Sequence, residues 1–235
     1  MADEKVTFDR SGAVGVATLN HGKANAISMD VIDALNGCLD EVAKSDDLSA
    51  LVITGRPGML SGGFDLAVMG QGGKATFELV TAGGDLARRI YANPFPVVVA
   101  AGGHAVAMGA LLLLSGHYRL AADGAFKIGL IETAIGMVLP DWSLALAEER
   151  LSKRHWQQAT VEARVYTPGE AVDAGYVDRV AAPDVLIEAA VEEANRLAGL
   201  NQAAYAGITS KVRGPGAERI AALLDVDRKM IAGMA

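Results

Sequence analysis

Short apolar runs bounded by turn residues recur along the first half of the chain. Residues 14–19, 50–54 and 97–101 are rich in β-branched or small apolar side chains, and such runs predict strands. Residues 6–8 are expected to pair with the first of them. Between the strands the period changes. Ile32, Leu35, Leu39 and Val42 fall on one helical face behind Ser28 and Asp30, which reads as a capped helix over 28–44, and a second helix is predicted over 75–91. This alternation implies an α/β domain. Beyond about residue 140 the pattern turns helical, with helices predicted over 141–151, 155–163, 168–174, 184–198 and 217–232 and one short strand over 177–180. Gly214-Pro215-Gly216 reads as a turn between helices.

One stretch asks for a separate decision. From residue 97 to 114 the only conventional polar side chain is His104, and the length alone would permit a membrane span. Gly102, Gly103 and Gly109 interrupt the run, and Pro94 and Pro96 precede it closely. It is read as a buried strand over 97–101, a glycine turn, and a buried helix over 109–115.

Composition narrows the function classes. At 235 residues with 51% apolar and 21% charged side chains, the chain has room for one large domain, or a domain with an appendage, and can bury a core. A net charge of −7 argues against a nucleic-acid binder, which shows a basic footprint, but leaves room for an anionic ligand held by local amides and a few cations. A single cysteine, Cys38, excludes an intrachain disulfide framework and fits a reducing cytoplasm. The polar N-terminal segment has no apolar core of a signal peptide, so secretion is not expected. His21, His104, His117 and His155 show no metal-ligand spacing, and no metal is expected. No serine nucleophile elbow, dinucleotide fingerprint or P-loop is present.

Three segments remain as candidate chemistry. Ser61-Gly62-Gly63-Phe64-Asp65-Leu66 follows a strand, and its glycines either form an ordinary tight turn or aim backbone amides inward. Gly103 to Gly109 crosses from strand to helix; it is either a close-packed turn or a helix start whose free amides near Met108 favour negative charge. Glu132 is the only ionisable side chain between Lys127 and Asp141. It either sits at a surface turn or is held in a dry pocket, where burial would raise its pKa toward that of a general base.

In order and separation these segments resemble the crotonase (enoyl-CoA hydratase/isomerase) superfamily over nearly the whole chain. Asn25-Ala26-Ile27 is similar to the family's early N-A-L element beside the coenzyme A adenine, Ser61 to Leu66 to its A-G-A-D-L loop, Gly103 to Gly109 to its N-G-x-A-x-G-G-G segment, and Thr167 to Val180 to its "ISAEEALRIGLVNRV" stretch. The resemblance implies an α/β crotonase (ClpP-like) fold: a spiral core of repeated ββα units with perpendicular sheets over residues 1–180, then a C-terminal helical trimerisation region over 181–235. It also implies trimers, or hexamers of two trimers. The implied ligand is an acyl-CoA thioester acting as substrate, with no further cofactor. Lys23, Ala24, Ala26, Gly63, Asp65, Leu66 and Gly109 are the implied coenzyme A residues. The amides of Phe64 and Met108 are the implied oxyanion hole for a thioester enolate, Met108 standing where the family has glycine.

Hydratases of the family use two glutamates. Glu132 matches the second, whereas the first position is Leu111. The segment from Gly129 to Gly136 is closest to the "IGLNET" stretch of Δ3,Δ2-enoyl-CoA isomerases, in which one carboxylate moves the proton. The expected activity is therefore enoyl-CoA isomerisation in fatty-acid metabolism with Glu132 as the catalytic residue. The alternatives are a hydratase using Glu132 with another acid such as Asp141, and a non-catalytic acyl-CoA-binding protein. His117 stands where many members have aspartate and is read as structural.

Overall fold

A computed structural model describes residues 4–233 of the chain. It opens with a hairpin, β1 (Val6–Ser11) against β2 (Val14–Leu19), antiparallel as expected. Helix α1 (Met29–Lys44) follows, with Ser28 as its cap: the hydroxyl accepts from the Val31 amide, and Ile32, Leu35, Leu39 and Val42 are all buried.

Three ββα units then repeat. The first holds β3 (Ala50–Gly55), β4 (Gly58–Ser61), a single turn α2 (Leu66–Met69) and the long α3 (Gly73–Tyr91). The second holds β5 (Val97–Ala101), β6 (Gly103–Val106) and α4 (Met108–Ser115). The third holds β7 (Tyr118–Ala122), β8 (Ile128–Gly129), a 3-10 turn over Thr133–Ile135 and α5 (Asp141–Arg150). In each unit the first strand joins a six-stranded sheet of order β1-β2-β3-β5-β7-β9, parallel apart from its first pair. The second strand joins a separate parallel sheet, β4-β6-β8. The remaining elements are α6 (Trp156–Thr160), α7 (Pro168–Ala174), β9 (Arg179–Ala181), α8 (Leu186–Ala198) and α9 (Gln202–Ala232).

The large sheet is covered on both faces, which explains its nearly continuous apolar strands. Leu51, Ile53, Val97 and Val99 face the main core with α1, α3 and α4, whereas Val52, Val98, Ala100 and Leu120 pack under α8 through Leu186, Ala189 and Ala190. The boundary near residue 180 falls inside β9, which pairs with β7, and α9 packs along α3 and α5.

Several sequence expectations need correction. The glycine turn after residue 101 is instead strand β6, because a side chain at Gly103 would overlap the backbone of Gly58 (a Cβ would lie 1.9 Å from its carbonyl carbon) and glycine lets β6 and β4 meet there. The helix that follows begins at Met108 and is buried all round, so the apolar run is core. No described helix is long and apolar enough to cross a membrane. The helix expected over 155–163 ends at Thr160, and Ala163 adopts φ 50°. Gly214-Pro215-Gly216 does not break the chain: α9 runs through it. Proline there removes one helix hydrogen bond, but packing holds the helix together. Arg213 stacks on the Tyr91 ring at 4.9 Å and donates to the Tyr91 carbonyl, while Ile220 and Leu224 are buried.

Candidate active site

The loop after β4 runs beside the segment before α1. Gly62 N–H donates to the Ala24 carbonyl (2.8 Å), Ile27 N–H to the Gly63 carbonyl (2.9 Å) and Asp65 N–H to the Ile27 carbonyl (3.0 Å). This ladder skips Phe64, whose N–H has no acceptor among the described residues. Gly63 holds φ 115°, and the point its Cβ would occupy lies 3.8 Å from the Met108 nitrogen. Met108 is the first residue of α4, so its N–H has no helical partner, and none is found for it elsewhere among the described residues. Ala107, just before it, is held at φ 51° and ψ −126°, a backbone conformation costing about 1–3 kcal/mol. Two free amides are thus brought together, one of them at the positive end of a helix.

Gly109 has a different place from the one expected. Its Cβ direction is filled by the Ser61 carbonyl oxygen at 2.2 Å, so it lets α4 approach β4, and it lines neither of the two cavities around the free amides. The other coenzyme A candidates do come together: Lys23, Ala24, Ala26, Gly63, Asp65 and Leu66 line one cavity of about 340 Å³. The loop lining it is clamped by Asn25, from the N-A-L-like element, and by Arg56, which no motif singled out. Buried Asn25, at φ 46°, donates to the Leu19 and Met59 carbonyls and accepts from the His21 amide, and Arg56 donates to the Gly22 and Lys23 carbonyls. Asparagine suits this position because it tolerates the left-handed region better than most residues.

On the other side of Phe64 lies a second cavity of about 180 Å³ whose walls include Phe64, Phe77, Val80, Leu111, Glu132 and Trp142. Glu132 is only 8% exposed, and its Oε2 has no hydrogen-bond partner among the described residues. Burial raises its pKa above the ordinary 4.5, against a smaller opposing pull from the amides of Glu132 itself and Ile131. Leu111, buried on α4, shares the cavity.

Asp141 does not. It is exposed at the start of α5 and lies outside the cavity walls, so the pairing with Glu132 considered from sequence is not formed. His117 is also distant from both cavities: its Nδ1 lies 2.6 Å from the Tyr205 hydroxyl, and burial followed by the charges of Arg213 and Arg150 lowers its pKa to about 3. It is a neutral packing residue.

The family described as enoyl-CoA hydratase/isomerase matches residues 9–234. A solved enoyl-CoA hydratase/isomerase family protein from Pseudomonas syringae is 40% identical, with 97% of this chain and 98% of that one covered and a TM-score of 0.93. A Mycobacterium tuberculosis protein, described as an enoyl-CoA isomerase in one solved structure and as a probable enoyl-CoA hydratase in another, is 37% identical in the former, with 97% of this chain and 99% of that one covered and a TM-score of 0.91. Mouse mitochondrial enoyl-CoA delta isomerase 1 is 28% identical over 188 residues. That stretch is 78% of this chain and 65% of the mouse protein, so the chain spans less than two thirds of that relative's length.

Proposed function

The chain belongs to the enoyl-CoA hydratase/isomerase family, and on that premise we propose that it shifts the double bond of a 3-enoyl-CoA to the 2-position through an enolate held by the Phe64 and Met108 amides. The observation that carries the isomerase choice is a cavity with one carboxyl group, Glu132, and a leucine, Leu111, where a second acid would be needed. Coenzyme A lies in the groove formed by Lys23, Ala24, Ala26, Gly63, Asp65 and Leu66, and the thioester oxygen accepts from both free amides. Glu132 removes a proton from C2. The C2–H electron pair becomes the new C2–C3 double bond through the enolate, and the old C3–C4 pair takes the same proton back from Glu132 at C4. Preorganised amides act where the negative charge develops, and one such donor is typically worth about 10²–10³ in rate. A raised carboxyl pKa suits a group that must act first as base and then as acid.

Hydration is the alternative, supported by the breadth of the family's own description. It requires a water to be oriented and deprotonated as its oxygen adds to C3 while a proton is delivered to C2, and Leu111 can neither hold the water nor move a proton. The reading includes a cytoplasmic setting and trimers or hexamers of two trimers. Support for assembly comes from the start of α9 and the residues just before it, where exposed Leu200, Ile208 and Val212 border a groove of about 430 Å³.

The test is a set of 2-enoyl- and 3-enoyl-CoA esters of several lengths given to the purified protein. Isomerisation faster than hydration is the expected result. Dominant hydration contradicts the choice of reaction, and ester binding without turnover at any length leaves an acyl-CoA-binding protein.

A further inference from the structure

Helix α3 carries two adjacent glycines in its middle, Gly83 and Gly84, each weakening the helix relative to alanine. The reason lies in what presses on them. A Cβ on Gly83 would sit 2.5 Å from both Cε1 and Cζ of the Phe64 ring, and one on Gly84 would sit 2.8 Å from Cε2 of Trp142. Both rings therefore lie against bare helix backbone. Both also line the cavity that holds Glu132. Phe77 and Val80, upstream on the same helix, complete that wall. The space between these walls, about 180 Å³, is small beside the roughly 300–1,000 Å³ of ordinary small-molecule sites.

We propose that the Phe64 ring, seated on Gly83, sets the size of the acyl cavity and restricts the protein to short-chain acyl-CoA esters. Phe64 then has two separate roles. Its backbone amide faces the thioester, and its side chain limits the acyl group. Gly83 is the partner that makes the second role possible, because without the notch the ring would have to move into the cavity or push the loop away. The ring's far edge is the part in contact, so a methyl group at residue 83 displaces the ring more readily than it displaces the helix.

The inference rests on the acyl-CoA reading, and its test is built to fail separately from it. Wild type, Phe64→Ala and Gly83→Ala are compared for binding of saturated four-, six-, ten- and sixteen-carbon acyl-CoA esters, which need no turnover, and for isomerisation of the matching 3-enoyl esters. Wild type is expected to bind the short esters at least about tenfold better than the long ones. Phe64→Ala is expected to raise the long-to-short ratio by about tenfold or more, since even one methylene in an apolar pocket is worth roughly 10–200-fold. Gly83→Ala is expected to move the ratio the other way and to disfavour the six-carbon ester against the four-carbon one. Wild type that binds sixteen-carbon esters as well as short ones overturns the proposal, as do two folded variants with the wild-type profile. Normal chain-length-dependent binding with no isomerisation leaves this inference standing and removes the isomerase reading instead.

Discussion

Leu111 and Glu132 line one cavity, an apolar side chain and a carboxyl group in the same buried space, 2% and 8% exposed. In the proposed mechanism this pair decides which reactions the site can run. A lone carboxyl group can shuttle a proton between two carbons, but it cannot both position a water and supply the second proton transfer. Leu111→Glu restores the missing acid. It is expected to raise the ratio of hydration to isomerisation while lowering stability by about 2–7 kcal/mol for the newly buried polar group. Product ratios with a 2-enoyl-CoA, together with a melting curve, check both halves. A folded variant with an unchanged ratio would remove Leu111 from the explanation.

Glu132 also sets a pH signature. Its folded pKa lies above the ordinary 4.5 because burial disfavours the charged form. Between those two values the folded state holds a proton that the unfolded state has released, so stability falls as pH rises through the folded pKa. Glu132→Gln removes that penalty. The variant is expected to melt higher than wild type at neutral pH and to lose its advantage below about pH 4.5. Paired melting curves across that range test it; an advantage that grows on acidification would contradict the burial argument.

His117 works in the opposite sense. Its folded pKa, lowered to about 3, lies well below the roughly 6.5 of an unfolded histidine. The stability tied to its neutral form is complete above about pH 6.5 and is lost as pH falls toward 3. Arg213 and Arg150, the cations that add to this shift, stay charged throughout. The melting-temperature gap between wild type and His117→Asn is expected to narrow on going from pH 7.5 to pH 5. A gap independent of pH would mean that folding does not lower the ring's pKa.

Gly63→Ala probes the two free amides without touching Glu132. Alanine is strained at φ 115°, and its methyl would lie 3.1 Å from the Ala107 Cβ. The expected loss in kcat is about 10²–10³, the size seen when one oxyanion donor is removed, with KM changed less. Wild-type kcat in this variant would show that the Phe64 and Met108 amides do not hold the developing charge.

Much of the architecture was legible because its signals are local. Ser28 capped the predicted helix, and the residues at positions 32, 35, 39 and 42 turned inward as their spacing requires. The repeated ββα arrangement expected from the family resemblance is the observed one, and solved structures share it with TM-scores of 0.91–0.93. Strands β4, β7 and β8 were missed because they are only 4, 5 and 2 residues long and carry no clear alternation. Pro215 was misread as a break because the packing of Arg213 on Tyr91 joins residues far apart in the chain. In the site, motif order brought out Phe64, Met108 and Glu132. It could not reveal that Gly109 serves backbone approach to Ser61, or that Gly83 receives the Phe64 ring, since both depend on contacts between separate units of the fold.

The central claim is that Glu132 alone moves the proton, and the isomerisation rate of Glu132→Gln with a short 3-enoyl-CoA tests it most directly. Glutamine keeps the shape and the hydrogen-bonding capacity but cannot act as the base. General-base catalysis is typically worth about 10²–10⁴-fold, so kcat is expected to fall by that factor while affinity for a saturated acyl-CoA stays within about threefold of wild type. Isomerisation by the variant at the wild-type rate would contradict the account.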